Sequence, residues 1–172
     1  MRTVTFADPR MVDFLNERFV VVWNNHNLER SAPGQQSTYS AAEMAAYPEG
    51  GGGRNLYTVV AAPDGTVLNS LSGYWSTATL REELEFSLGL TPANRVERHA
   101  ARVLDLQAQI AKLDQDNPGE AGKRIKDSPI LKKRAALSLL LPLHDPQSFR
   151  ETRAIDTMLA WFAARSRTRV FA

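Results

Sequence analysis

The fold is decided by the stretch NLYTVVAA-PDG-TVLNSL, residues 55–71. Two runs rich in valine, leucine, threonine and tyrosine flank Pro63-Asp64-Gly65, whose residue types favour a tight turn. The pattern predicts a β-hairpin with strands over residues 55–62 and 66–71.

Upstream of the hairpin, the sequence predicts a helix followed by a buried strand. Asp8 can cap free backbone N–H groups and Pro9 suits the first helical turn, so we expect a helix to about Arg18. The run Phe19–Trp23 (FVVVW) is uninterrupted, β-branched and aromatic, which favours a strand buried on both faces. A short helix is expected to open at Ser40.

Three further signals surround the hairpin. Four consecutive glycines at 50–53 are interpreted as a flexible connection, because no strand and no Lys-Ser/Thr pair accompany them as in a phosphate loop. Ser76 can cap a helix that runs to about Leu88. The charge then changes sign: residues 1–90 carry 6 basic and 10 acidic residues, and residues 91–172 carry 15 basic and 9 acidic residues.

The basic half predicts helices only, about three of them. The first begins at Thr91-Pro92. Five apolar residues and one histidine recur in it at alternating spacings of three and four, as in the a and d positions of a coiled coil: Val96, His99, Val103, Leu106, Ile110 and Leu113. The second covers Pro129–Leu141 and ends at Pro142, because proline cannot continue the hydrogen-bond ladder of a helix. A third starts at Asp145-Pro146.

We call the six positions from Val96 to Leu113 the seam. In the seam, His99 is interpreted as a packed polar residue that tunes register. We expect the helices either to cover an open edge of the sheet or to form a homodimer through the seam. Basic groups at Lys132–Arg134 and in residues 165–169 lack any recognised nucleic-acid motif, so nucleic acid is not an expected partner.

Both the order of the predicted elements and two short sequence segments resemble a known family. Thr5–Val22 (TFADPRMVDFLNERFVVV), and Pro63-Asp64-Gly65 followed by Gly73-Tyr74, are similar to segments of thioredoxin-like domains related to thiol:disulfide interchange proteins. The resemblance covers about residues 4–88. It implies a thioredoxin-like α/β module over residues 1–90, joined to an all-helical extension over residues 91–172.

The departures from that family concern its chemistry. In the family, a first strand and a Cys-x-x-Cys motif precede the matching segment, so here they would lie upstream of Met1. The family's cis-proline should fall near Leu56, and no proline stands there. The resemblance therefore implies either a redox-inactive interaction module or an N-terminally truncated thiol-disulfide oxidoreductase whose cysteines lie upstream.

Composition excludes several other classes of site. The 172 residues include no cysteine, so the chain forms no disulfide and offers no thiolate nucleophile. The three histidines, His26, His99 and His144, are far apart and follow no metal-binding spacing, so no metal and no cofactor are predicted. No apolar run is long enough to span a membrane and no signal-peptide core is visible, so the predicted location is the cytoplasm.

Five residues are candidate contacts with a ligand or partner. Trp23, Asn25 and His26 follow the predicted buried strand, where loops of open α/β sheets often line sites. His26 is a candidate general base or metal ligand. The alternative is that Trp23–Asn27 forms a polar turn without a chemical role. Tyr74 and Trp75 form either a binding platform or the packed edge of the domain.

No catalytic residue is assigned. Three acidic residues lie within the predicted helix after Ser76, namely Glu82, Glu83 and Glu85. We expect them to form a solvated helix face that the helix dipole favours, and not a pair of reacting carboxylates.

Overall fold

The computed structural model describes residues 5–21, 48–51 and 57–145. These ranges form a mixed α/β structure with a two-stranded antiparallel sheet and four α-helices. In chain order the elements are α1 (Pro9–Arg18), β1 (Tyr57–Ala61), β2 (Val67–Ser72), α2 (Thr77–Leu88), α3 (Arg95–Asp116) and α4 (Pro129–His144). The short helix expected at Ser40 and the helix expected after Asp145 lie outside the described residues.

The predicted hairpin is confirmed. The turn places Gly65 at φ +85°, and the Asp64 carboxylate accepts the N–H of Thr66 at 2.9 Å, as expected for an Asp-Gly turn. Tyr57 pairs with Ser72 at the open end of the hairpin. The register shifts by one between Val60 and Ala61, so Leu68 has no partner across the ladder.

The first helix is also confirmed, whereas the strand predicted after it is not. In α1, Asp8 caps the helix by accepting the N–H of Arg10, and Pro9 occupies the first turn. The backbone at Phe19–Val21 belongs to no strand, and Val20 is 83% exposed. Apolar, β-branched composition cannot make a buried strand without a neighbouring strand, and none lies beside this segment in the described ranges. Residues 22 and 23 of the predicted strand lie outside them.

Part of the glycine run is a specific turn and not merely a flexible connection. Gly50 donates its N–H to the Tyr74 carbonyl, and Tyr74 donates to the Gly51 carbonyl at 2.8 Å. This pairing brings Glu49 to the start of α2, where its carboxylate accepts the Ser76 N–H at 3.0 Å and the Thr79 hydroxyl at 2.9 Å. A carboxylate at a helix N-terminus is stabilised by the free N–H groups there.

The helices of the second half differ from expectation at two ends. Thr91 and Asn94 bond reciprocally in a turn, so α3 begins at Arg95 and not at Thr91-Pro92. Pro142 lies inside α4, which continues to His144. A proline removes one ladder bond but does not forbid a final half-turn when the side chains beyond it are packed.

One hydrophobic core joins the two parts of the chain within the described residues. It combines side chains of the hairpin, α1 and α2 with side chains of α3 and α4: Met11, Phe14, Val60, Leu71, Tyr74, Trp75, Leu80, Leu84, Leu106, Leu137 and Leu140. The C-terminal half of the seam belongs to this core, since Leu106 is fully buried and Ile110 and Leu113 pack against the cluster.

This architecture confirms the α/β class and, as far as residue 145, the helical character of the C-terminal part. It does not establish the thioredoxin-like arrangement, because the described sheet has two antiparallel strands only. None of the helices in the described ranges combines the length and apolar character that a bilayer span requires.

Gly73 and Gly65 offer a matched test of the turn at residues 49–51. Both have positive φ, but a Cβ on Gly73 would lie 2.5 Å from the Gly50 carbonyl oxygen, whereas a Cβ on Gly65 meets nothing within 4 Å. We expect Gly73→Ala to lower the free energy of unfolding by about 3 kcal/mol and Gly65→Ala by about 1 kcal/mol. Urea unfolding measures both, and equal losses would contradict the packing described.

Candidate functional site

Four ionisable side chains meet in the interior between the helices and the hairpin. Glu83 of α2, His99 of α3 and His144 of α4 are each at most 1% exposed, and the Arg102 side chain of α3 is 11% exposed. We call these four residues the buried cluster. Charged groups are almost never fully buried unless they are paired, so the arrangement of their partners decides what the cluster does.

The cluster is assembled by helical periodicity and by one irregularity of the sheet. Leu80, Glu83, Leu84 and Ser87 lie on the same face of α2, and all four are buried. The register shift in the hairpin leaves the Leu68 carbonyl free of the ladder. That carbonyl is the acceptor for His99.

The buried cluster is a continuous chain of short contacts. His99 Nε2 lies 2.8 Å from the Leu68 carbonyl oxygen, and its Nδ1 lies 2.7 Å from Nδ1 of His144. His144 Nε2 lies 2.8 Å from Glu83 Oε2. The other oxygen of Glu83 accepts from Arg102 Nη2 at 2.8 Å, and Arg102 also bonds the exposed Glu82 at 2.6 Å.

The positions of the protons follow from these partners. A carbonyl oxygen only accepts, so His99 must carry its proton on Nε2. Neutral His99 then has an acceptor at Nδ1, and His144 must donate from its own Nδ1. Nε2 of His144 faces the Glu83 carboxylate.

The electrostatics favour a neutral His99, an ionised Glu83 and a charged Arg102. Burial lowers the pKa of His99 to about 4, because neither the Leu68 carbonyl nor Glu83 compensates for the lost solvation. Burial alone would raise the pKa of Glu83, but His144 and Arg102 outweigh it, and the pKa lies below its ordinary value. Despite burial, the two glutamates beside Arg102 raise the pKa of its guanidinium.

The walls of the cluster are apolar or internally hydrogen-bonded. The Phe86 ring meets both imidazoles edge to face, with ring centroids 5.2 Å apart in each case. The hydroxyl of Ser87 accepts from Asn69 at 2.9 Å and donates to the Glu83 carbonyl at 2.6 Å. No hydrogen bond of good geometry reaches Glu83 Oε2 or His144 Nε2, so their 2.8 Å contact is off-axis.

The cluster links elements and offers no catalytic surface. A general acid or base must come within hydrogen-bonding distance of its substrate, and all three of Glu83, His99 and His144 are sealed from solvent. The histidine nitrogens at 2.7 Å are hydrogen-bonded, since two ligands on one zinc ion stand about 3.3 Å apart. No metal-binding group of acidic and histidine side chains was found within the described ranges.

Sequence reasoning found one member of the cluster and missed the others. The interpretation of His99 as a packed polar residue agrees with its burial, whereas the expectation that Glu83 is solvated is wrong. Glu82 and Glu85 are exposed as expected. The available signal was the spacing of Glu83, which falls three residues after Leu80 on the apolar face.

The structure describes two of the five predicted contact residues, so the predicted site as a whole stays a prediction. Trp23, Asn25 and His26 lie outside the described residues. Tyr74 and Trp75 are core residues, 6% and 1% exposed, and the indole N–H of Trp75 donates to the Ser72 carbonyl at 3.0 Å. Burial raises the pKa of Tyr74, consistent with a phenol enclosed in the core.

A surface feature on α3 was not predicted. Five exposed, uncharged residues share one face of this helix and form what we call the outer stripe: Val96, Ala100, Leu104, Gln107 and Ala111. Leu104 is 67% exposed and Val96 is 53% exposed. The stripe borders a cavity of about 400 Å³ between α3 and α4, lined by Ala100, Val103, Gln107, Leu141 and Asp145.

The comparisons with known proteins assign no family. No family model, no curated protein and no solved structure matches this chain. Its function is therefore proposed below from its own residues.

Adjacent glutamates in α2 test the energetic role of the buried cluster. Glu83→Ala removes the buried carboxylate that both Arg102 and His144 contact, and we expect it to lower the free energy of unfolding by about 3 kcal/mol. Glu82 is exposed, so Glu82→Ala should cost no more than about 0.5 kcal/mol. Urea unfolding compares the two variants, and similar losses would show that the cluster adds little stability.

The buried cluster also predicts a dependence of stability on pH. The pKa of His99 is about 4 in the folded chain and about 6.5 in an unfolded one, so the unfolded state binds its proton first as the pH falls. The stability is fully present above about pH 6.5 and is lost towards pH 4. The lowered pKa of Glu83 acts in the same direction at still lower pH.

We expect the free energy of unfolding to fall by about 2 kcal/mol between pH 7 and pH 5. In His99→Asn, the side-chain oxygen can still accept from His144 but the group no longer titrates, so this variant should start lower and fall less. Guanidinium unfolding at both pH values measures the difference. A wild-type stability that is unchanged at pH 5 would refute the assignment of a neutral, buried His99.

Proposed function

We propose that the chain is a redox-inactive, thioredoxin-like interaction module that binds a protein through its helical part. The observation that carries the proposal is the outer stripe. It exposes Leu104 and Val96, although the same helix buries Leu106 completely. Two other members of the stripe, Ala100 and Gln107, line the cavity. Exposed apolar surface next to a concavity is typical of protein interaction sites.

The closed interior supports binding over catalysis. The members of the buried cluster contact one another, and three of them, Glu83, His99 and His144, are at most 1% exposed. Such a network rigidifies the elements that it joins. A rigid backing for α3 and α4 suits a surface that must keep its shape to bind a partner.

The thioredoxin-like part of the proposal rests on the sequence. A hairpin with a Pro-Asp-Gly turn followed by a helix from Thr77 is compatible with the second half of that fold. A chain without cysteine cannot perform dithiol exchange. The proposal therefore keeps the fold of the resembled family and leaves out its chemistry.

Site-specific photo-crosslinking in cells of the source organism tests the proposal. A photoreactive residue at Leu104 should capture a protein, whereas the same residue at Ala121, exposed in the loop before α4, should capture none or much less. Gel mobility and mass spectrometry of the adduct provide the readout. Equal or absent crosslinking at the two positions would overturn an interaction role for the outer stripe.

A further inference from the structure

The length and the side chains of the outer stripe suit contact with another helix. From Val96 to Ala111 it covers fifteen residue steps of α3, about 22 Å along the helix axis. Ala100 and Ala111 are small, so another helix can approach closely, and Leu104 projects from the middle of the stripe. The stripe itself carries no charge, so any electrostatic selection of a partner must come from its flanks.

The flanks carry opposite charges at matching distances from Leu104. Glu97 lies seven residues before it and Lys112 eight residues after it, and both are exposed. At 100° per residue, the two side chains fall on the same side of the stripe. The ion pairs of α3 in the described chain use Arg102, Asp105 and Asp114, and involve neither Glu97 nor Lys112.

We propose that the partner on the outer stripe is a second copy of this chain, with the two α3 helices antiparallel and Leu104 at the two-fold axis. This proposal deepens the proposed function and depends on it. In an antiparallel pair, Glu97 of each copy faces Lys112 of the other, which gives two ion pairs across one interface. In a parallel pair, Glu97 of one copy and Lys112 of the other would lie fifteen residue steps apart along the helix axis, so neither ion pair could form.

This surface differs from the homodimer expected through the seam. The inner positions of the seam, Leu106 above all, are occupied by the chain's own core. The outer stripe shares Val96 with the seam, but its other four residues lie on the neighbouring face of α3, so contact there leaves that core intact. Since one helix supplies most of the contact, the interface is small and the dimer is weak, with a dissociation constant in the range of about 10–100 µM.

Sedimentation velocity of the purified full chain between about 5 and 500 µM tests self-association in that range. We expect a reversible monomer–dimer equilibrium. Leu104→Glu should weaken it at least about tenfold, because it places two like charges at the axis. The control is Arg98→Glu, which changes charge on another face of α3 and should leave the equilibrium within about twofold.

A charge exchange tests the antiparallel geometry. Glu97→Lys and Lys112→Glu should each weaken the dimer about fivefold, and the double variant should return to within about twofold of the wild type. Both substitutions oppose the dipole of α3. Recovery in the double variant therefore cannot arise from a more stable helix. Thermal unfolding confirms that each variant is folded.

The outcomes separate this proposal from the proposed function. A purified chain that stays monomeric at all concentrations, or a double variant as weak as the single ones, overturns the antiparallel dimer. If the Leu104 crosslink then captures a different protein, the interaction role stands and the second copy is excluded. If the adduct has the mass of two chains, both proposals are supported.

Discussion

A carboxylate taken out of water must find charged or hydrogen-bonding partners, and Glu83 finds both of its partners on other helices. Arg102 of α3 binds one oxygen and His144 of α4 approaches the other. The cost of leaving either partner unmatched in the interior is larger than the value of an ordinary surface ion pair. The packing of α2, α3 and α4 is consequently coupled, since displacing one helix strands a charge on another.

Neutral His99 completes this arrangement by accepting from one side and donating to the other. Its two nitrogens connect α4 to the Leu68 carbonyl of the hairpin. Apolar residues fill most of the surrounding core and provide most of the driving force, but they tolerate small rearrangements. The polar chain favours one relative placement of hairpin and helices, because the Leu68 carbonyl, His99 and His144 must stay within hydrogen-bonding distance of one another.

The sequence predicted elements well where local chemistry decides them. Asp8-Pro9, Pro63-Asp64-Gly65 and Ser76 act through their own backbone geometry, and each appears in the structure as expected. It failed where the answer depends on distant residues. The strand predicted around Val20 requires a neighbouring strand to pair with. In the sequence, nothing distinguishes the buried Glu83 from the exposed Glu82 until its partners on α3 and α4 are known. Within the described ranges, the candidate site was therefore visible only through His99.

Pro142 shows how the rule that proline ends a helix can hide a member of the buried cluster, His144. A helix end before the proline would leave His144 in a loop, and no pattern would connect it to Glu83. In the structure the helix continues, and His144 occupies its last turn, where it is 1% exposed. The competing preference of the proline was outweighed by packing beyond it.

The two faces of α3 have different roles. The inward face is committed to the core and to the buried cluster, whereas the outer stripe has no comparable partner in the described chain. Because the same helix carries both faces, substitutions in the cluster and in the stripe should affect different properties. The first kind changes how tightly the chain folds, and the second changes what it meets once it is folded.

The unpaired position at Leu68 restricts how the length of β2 can change in evolution. Deleting one residue from β2 would make the ladder regular, which looks like an improvement when the hairpin is viewed alone. It would also turn the Leu68 carbonyl back into the ladder and remove the acceptor for His99. Insertions and deletions in β2 should therefore be tolerated only together with changes in α3 and α4, so that strand length and helix sequence evolve as one unit.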